Sequence, residues 1–236
     1  MKKPVRYLSL LPVYLLILGA ILGFAIGGSR AVTVLSENAP VTNRKIVIID
    51  AGHGGPDGGA TSCTGILESQ FNLEIALRLR DLMELLGIQT LMIRDTDHSV
   101  YTQGSTIAQK KVSDLKERVR IVNSTENATL VSIHQNLFPD AKYSGAQVFY
   151  AKTTGSHELA NQLQNAFIQS INHDSHRQAK KADGIYLMQN INCTGILVEC
   201  GFLSNPNEEY LLRTDTYQKK LCSVIATTLS NYLFTT

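Results

Sequence analysis

Lys45-Ile-Val-Ile-Ile-Asp50, followed by Ala51-Gly-His-Gly-Gly55, is the stretch on which the reading of this chain turns. Ile46, Val47, Ile48 and Ile49 are β-branched, and a run with no polar alternation fits a strand covered on both faces. The glycines around His53 then stop the strand, so the segment predicts a buried strand that delivers a histidine to a tight loop. The pattern recurs further along. Thr129–His134 (TLVSIH) and Gly195–Glu199 (GILVE) are short apolar runs, and each ends on a polar group.

Helical signals lie between these runs. Over Glu68–Leu86, Phe71, Ile75, Leu79, Leu82, Met83 and Leu86 recur at spacings that make one apolar stripe, and Gly87 stops the helix. Gln89–Arg94 and Ala146–Ala151 read as strands; Val112–Ser124, Ser156–Ile171 and Asp215–Leu233 read as helices. Strands alternating with helices predict an α/β sandwich with a mostly parallel sheet, in which sites gather at the carboxyl ends of the strands.

Outward to the N-terminus, the composition changes. Leu8 to Ser29 is a 22-residue run without charge, preceded by Lys2, Lys3 and Arg6. That length can cross a ~30 Å hydrocarbon core as a helix, and the basic flank places its start in the cytoplasm. Residues 1–31 therefore read as a cytoplasmic stub with one transmembrane helix, or as a signal peptide cut near Ser29 and Ala31. The anchor is the favoured reading because the run is long for a signal. Residues 32–44 read as a linker and 45–236 as the folded domain, which then lies outside the membrane. Without the four basic residues of the N-terminal 30, 18 basic face 20 acidic residues in the body. That near-neutral balance gives no footprint for nucleic acid. Cys63, Cys193, Cys200 and Cys222 match no zinc motif and are read either as one or two disulfides or as buried free thiols.

His53, His134 and Glu199 each sit where a predicted strand ends, and Glu68 opens the first predicted helix. Two histidines and a carboxylate form a common catalytic zinc set, with a second carboxylate free to act as general base. Each residue also has a plainer reading: a loop histidine, a first-turn acid that complements the helix dipole, or a turn-forming glycine cluster. AGHGGPDGG lacks the spacing of a nucleotide-binding loop. Cys200 beside Glu199 raises a Cys–His nucleophile as a minor alternative.

The segments IVIIDAGHGGPDGGA, GILES, MIRDTD, LVSIHQN and LVECGFLSNPNEE, in that order, resemble the zinc-dependent amidase-3 family of N-acetylmuramoyl-L-alanine amidases. The resemblance runs from about Lys45 to about Leu233. It implies a twisted mixed sheet between helices and one Zn²⁺ per chain on His53, Glu68 and His134. It also implies Glu199 as the residue that takes a proton from the attacking water and passes it to the leaving amine. Asp50 or Asn136 is expected to orient a ligand from behind, although Asp50 can equally cap a turn. Arg94 is read as a contact for a substrate carboxylate or, more simply, as an ion-pair partner of Asp95 or Asp97. Gln135 departs from the family pattern, where a small residue is common.

No wall-binding repeat is visible, and the loop Asn136–Gly145 is too short for a long helical insert. An anchor with a bare catalytic domain resembles the sporulation amidases of Firmicutes that act on spore cortex ahead of muramic-δ-lactam formation. The expected partners are thus peptidoglycan, the membrane and a protein activator that no residue identifies. The expected location is the outer face of a membrane, such as the forespore intermembrane space. The rival readings are a vegetative wall amidase, a zinc peptidase with another substrate, and a wall-binding protein without activity.

Overall fold

The computed structural model describes residues 45–235. The expected anchor, its signal-peptide alternative and the linker lie outside the described residues. Among the described residues no helix is long and apolar enough to cross a membrane.

Six strands form one sheet in the order β2-β1-β3-β6-β4-β5: β1 (Ile46–Ala51), β2 (Gln89–Met92), β3 (Ala128–Asn136), β4 (Gln147–Tyr150), β5 (Lys180–Lys181) and β6 (Thr194–Phe202). β2, β1, β3 and β6 are parallel. β4 runs antiparallel to β6 and carries β5 parallel to itself, which makes the sheet mixed. The helices are α1 (Glu68–Leu85), α2 (Ile107–Asn123), α3 (Ser156–Ser170), α4 (Tyr186–Asn190), α5 (Pro206–Leu212) and α6 (Asp215–Thr235). The α/β architecture with a mixed sheet between helices agrees with the expectation from sequence.

The period of two along each strand sorts the side chains into two layers. Val47, Ile49, Val131, Ile133, Ile196 and Val198 pack in one core with the apolar stripes of α1, α3 and α6. Ile48, Leu130 and Leu197 face the other way, against Val122 of α2 and Leu187 and Met188 of α4. Both faces are therefore covered, and this is why the strands read as continuous apolar runs. The second series continues up the strands as Asp50, Ser132, His134 and Glu199. One period thus builds the core and then, at the carboxyl ends, aims polar groups into the cleft under α2 and α4.

α2 begins at Ile107, five residues before the apolar pattern predicted. Thr106 caps it: its hydroxyl accepts from Gln109 N (3.2 Å), and Gln109 Oε1 accepts from Thr106 N (3.2 Å). The first turns are exposed, so they carry no apolar stripe. β5, α4 and α5 are short elements that no periodicity announces. All four cysteines are free thiols, Cys63 exposed and Cys200 and Cys222 buried.

Candidate metal centre and active site

His53 follows β1 on a backbone with φ of 61°, a left-handed conformation that is uncommon for a residue with a side chain. The turn is held by paired backbone bonds, Gly54 N to Asp57 O (2.8 Å) and Asp57 N to Gly54 O (3.2 Å). Asp57 also reaches back to the ring, its Oδ2 lying 2.9 Å from His53 Nδ1. The other ring nitrogen, Nε2, lies 3.3 Å from Glu68 Oε2. His134 Nδ1 lies 3.0 Å from Glu68 Oε1. Ligand atoms of His53, Glu68 and His134 all fall within 4.8 Å of one another. Two glycines make this approach possible. A Cβ on Gly52 would run into the His134 imidazole, and one on Gly59 would sit 2.6 Å from Glu68 Oε2 and 2.7 Å from His53 Cδ2.

Glu68 is buried and held from three sides. Ala60 N donates to Oε2 (2.9 Å), while Gln135 N (3.2 Å) and Asn72 Nδ2 (3.2 Å) donate to Oε1. Burial works against its charge, but the hydrogen bonds to His134 and His53 outweigh it and hold the carboxyl well below the usual range. At Asp57 the bond to His53 is the main cause of a pKa that is also held below the usual carboxylate range. Burial opposes the His53 imidazolium, yet Asp57 and Glu68 together raise it to about 9. The cluster thus favours positive charge between its rings. Two imidazoles and a carboxylate are donors that suit zinc, and a carboxylate behind a ligand histidine is the usual outer support.

Glu199 pairs with His134 in the register of β6 with β3, so both side chains rise into one cleft. The cleft has a volume of about 200 Å³ and is walled by Leu115, Ile185, Leu187 and Leu197. Glu199 Oε2 is buried without a hydrogen-bond partner among the described residues. Burial, reinforced by the Glu68 charge and only partly offset by His134 and His53, pushes the Glu199 carboxyl up to about 7. A carboxyl poised there suits proton transfer near neutral pH.

The remaining expected site residues lie elsewhere in the architecture. Asp50 is buried, and its carboxylate pairs with Arg118 and accepts Ser132 Oγ at 2.6 Å. Arg118 also donates to Ala51 O (3.0 Å), His53 O (2.8 Å) and Asp114 Oδ2 (2.6 Å). Asp50 therefore steadies the backbone of His53 through Arg118 and does not touch a ligand ring. Asn136 accepts Leu203 N through its backbone carbonyl at 2.8 Å. Among the described residues its side chain makes no hydrogen bond to His53, Glu68 or His134. The carboxylate that lies against the His53 ring is that of Asp57.

Arg94 is a second correction. It is 1% exposed and donates to four backbone carbonyls, those of Ala51, Gly52, Ser69 and Thr96. It makes no ion pair with Asp95 or Asp97, because its fork is already spent on the loop after β1 and on neighbouring carbonyls. Sequence reasoning missed Asp57, Asn72 and Arg118. The His53–Asp57, Glu68–Asn72 and Asp114–Arg118 pairs are all four apart, which was the available signal, and the last two lie on helices.

Comparisons with known proteins identify the family. The N-acetylmuramoyl-L-alanine amidase profile of the Amidase_3 family matches residues 47–231. The germination-specific N-acetylmuramoyl-L-alanine amidase of Bacillus subtilis (strain 168) is 40% identical over 183 residues, 77% of this chain and 76% of that protein. The CwlD amidase of Clostridioides difficile, solved in complex with the GerS lipoprotein, superposes with a TM-score of 0.78 at 38% identity, over 82% of this chain and all of that one. A further N-acetylmuramoyl-L-alanine amidase, from Clostridium difficile 630, gives a TM-score of 0.70 at 31% identity over 81% of this chain and 98% of that one. With the profile spanning nearly the whole described body, the chain belongs to the Amidase_3 family of N-acetylmuramoyl-L-alanine amidases and is a peptidoglycan amidase.

Proposed function

We propose that this amidase is zinc-dependent, with one ion held by His53, Glu68 and His134, and that Glu199 is its catalytic acid–base. The observation that carries the reading is the convergence of the three donors beside a buried carboxylate with an unpartnered oxygen. When bound, zinc supplies Lewis-acid activation of water and of the scissile carbonyl. The chain's own groups do the rest. Asp57 and Glu68 fix the His53 ring, and Arg118 and Arg94 hold the loop that carries it. Leu115, Ile185 and Leu187 exclude bulk water from the cleft. Glu199 takes the proton of the attacking water on its carboxylate and returns it to the leaving nitrogen of L-alanine.

The proposed substrate is the peptidoglycan of the spore cortex, and removal of stem peptides there is the step that precedes δ-lactam formation. Similarity to a germination-specific amidase supports this. A protein partner is part of the proposal, supported by the C. difficile relative that was solved with a lipoprotein. Residues 8–29 are proposed to anchor the catalytic domain on the extracytoplasmic side.

The chain in detergent and its Glu199→Gln variant test this reading. Zinc near one per chain is expected in both. Cleavage between muramic acid and L-alanine should fall by about 10²–10⁴-fold in the variant. Equal cleavage of vegetative and cortex walls would remove the sporulation reading. A variant that keeps full activity would remove Glu199 from the chemistry, and absence of bound zinc would remove the metal assignment.

A further inference from the structure

We infer that Phe138 and Tyr143, backed by the buried Phe202, form a sugar-binding shelf that holds the glycan strand of the substrate beside the catalytic centre. The inference rests on the proposed placement of the chemistry at Glu199.

Phe138 is 47% exposed and Tyr143 38%, within one loop of the described chain. Single exposed apolar residues are ordinary, but a rigid cluster of them marks a binding surface. This cluster is rigid. The rings of Phe138 and Tyr143 meet edge to face with centroids 4.7 Å apart. Tyr143 stacks on Phe202 at 6.3 Å with planes 29° apart, and the Arg177 guanidinium lies 4.9 Å from the Phe202 centroid. The backbone of the loop is also tied down. Asn205 Nδ2 donates to Ala141 O (2.9 Å) and Tyr143 O (3.3 Å), and Arg177 donates to Ser144 O through Nε (3.1 Å) and Nη2 (3.0 Å). A surface held in place before its ligand arrives loses little entropy on binding.

Its position follows from the strands that carry the site. Phe138 lies four residues beyond His134, and Phe202 three beyond Glu199. Asn136 and Phe202 are partners in the β3–β6 register, and Phe138 N donates to Ser204 Oγ at 3.3 Å. Extended chain of that length spans roughly 10–14 Å, so the shelf begins within a disaccharide's reach of Glu199. Beside it runs a groove of about 650 Å³ lined by Tyr143, Ser144, Asn172, His173, His176 and Arg177. That volume lies within the range of small-ligand sites.

The chemistry selects a sugar. A pyranose has an apolar C–H face, which lies flat on an aromatic ring, and a hydroxyl edge, which needs mixed donors and acceptors. The rings supply the first and the groove supplies the second. A protein partner would need about 800 Å² on each side, far more than two exposed rings present. The shelf thus separates two tasks: the cleft recognises the muramoyl amide, and the shelf holds the polymer that bears it.

The chain contains no Trp, so Phe138→Trp places a single fluorescent reporter on the shelf. In a Glu199→Gln background, titration with glycan strands stripped of stem peptides should shift its emission saturably. Phe138→Ala in the active enzyme should raise KM for polymeric peptidoglycan about tenfold and leave kcat within about twofold. The same variant should leave KM for a short soluble muramoyl peptide unchanged. The inference is overturned by a reporter that ignores glycan or responds only to stem peptides, and equally by a KM that moves on both substrates or on neither. Failure of the amidase reading would look different: neither substrate would be cleaved by the parent chain, while the glycan titration would still decide the shelf.

Discussion

Asp50 and Glu199 are two carboxylates on the same face of one sheet, and their surroundings are opposite. Asp50 lies on the floor under the β1 loop, where Arg118 and Ser132 satisfy it and, against the effect of burial, the Arg118 charge and the Ser132 bond lower its pKa. Glu199 lies on the wall of the cleft, where one oxygen has no partner and burial pushes the carboxyl up to about 7. A buried charge is expensive unless it is paired and hydrogen-bonded. Where the protein meets that condition, the carboxylate is architecture. Where it leaves the condition unmet, the carboxyl holds its proton to higher pH, which suits the acid–base role proposed for it.

The largest test of this contrast is on the satisfied side. Arg118→Leu strands the Asp50 charge and should cost about 3–5 kcal/mol of stability in urea unfolding. The Asp50→Asn, Arg118→Leu double variant should recover much of that loss. A single variant as stable as the parent would mean that the floor is not a charge-pairing device. The next effect is smaller and sits between the two regions. Asp57→Asn keeps the shape but removes the charge that supports the His53 ring, and should weaken zinc about 10–100-fold in chelator competition. An unchanged affinity would assign Asp57 to the turn alone.

The smallest effect concerns Glu199 itself. Its folded carboxyl stands at about 7 against an ordinary 4.5, so folding takes up a proton between those values. Stability is therefore highest at the acid end of that window and falls as pH rises through it. Glu199→Gln mimics the protonated form. The metal-free variant should melt higher than the metal-free parent at pH 8, by about 1–2 kcal/mol or roughly 2–8 °C, and equally near pH 4.5. A variant less stable at pH 8 would show that Glu199 is supported in a way the structure does not contain.

Most of the architecture was legible in the residues. KIVIID, TLVSIH and GILVE are strands because both sheet faces are covered, and full burial leaves a run of apolar residues with no alternation. α1 and α6 declared themselves by one-sided apolar stripes. The early start of α2 was hidden because Ile107–Lys111 faces solvent, where only the Thr106–Gln109 cap marks the helix. β5 is two exposed lysines, whose pairing depends on β4 and on nothing local. In the site, His53, Glu68, His134 and Glu199 were legible as polar groups at strand and helix ends. Arg94 was misread because a buried arginine can spend its fork on carbonyls, and sequence does not say which partner is nearest.

The sequence by itself determined the periods: which strands are buried, which helix faces are apolar, and that two histidines and two acids stand where elements begin or end. These are local properties, set by backbone preference and by the spacing of apolar side chains. Only the tertiary structure decided that Glu68 reaches both rings, that Asp57 supports His53, that Arg118 joins Asp50 to the His53 backbone, and that one oxygen of Glu199 is left without a partner. Those outcomes depend on the register of β3 with β6 and on the close approach permitted at Gly52 and Gly59. Distances between residues far apart in the chain are fixed by packing, and no local preference encodes them.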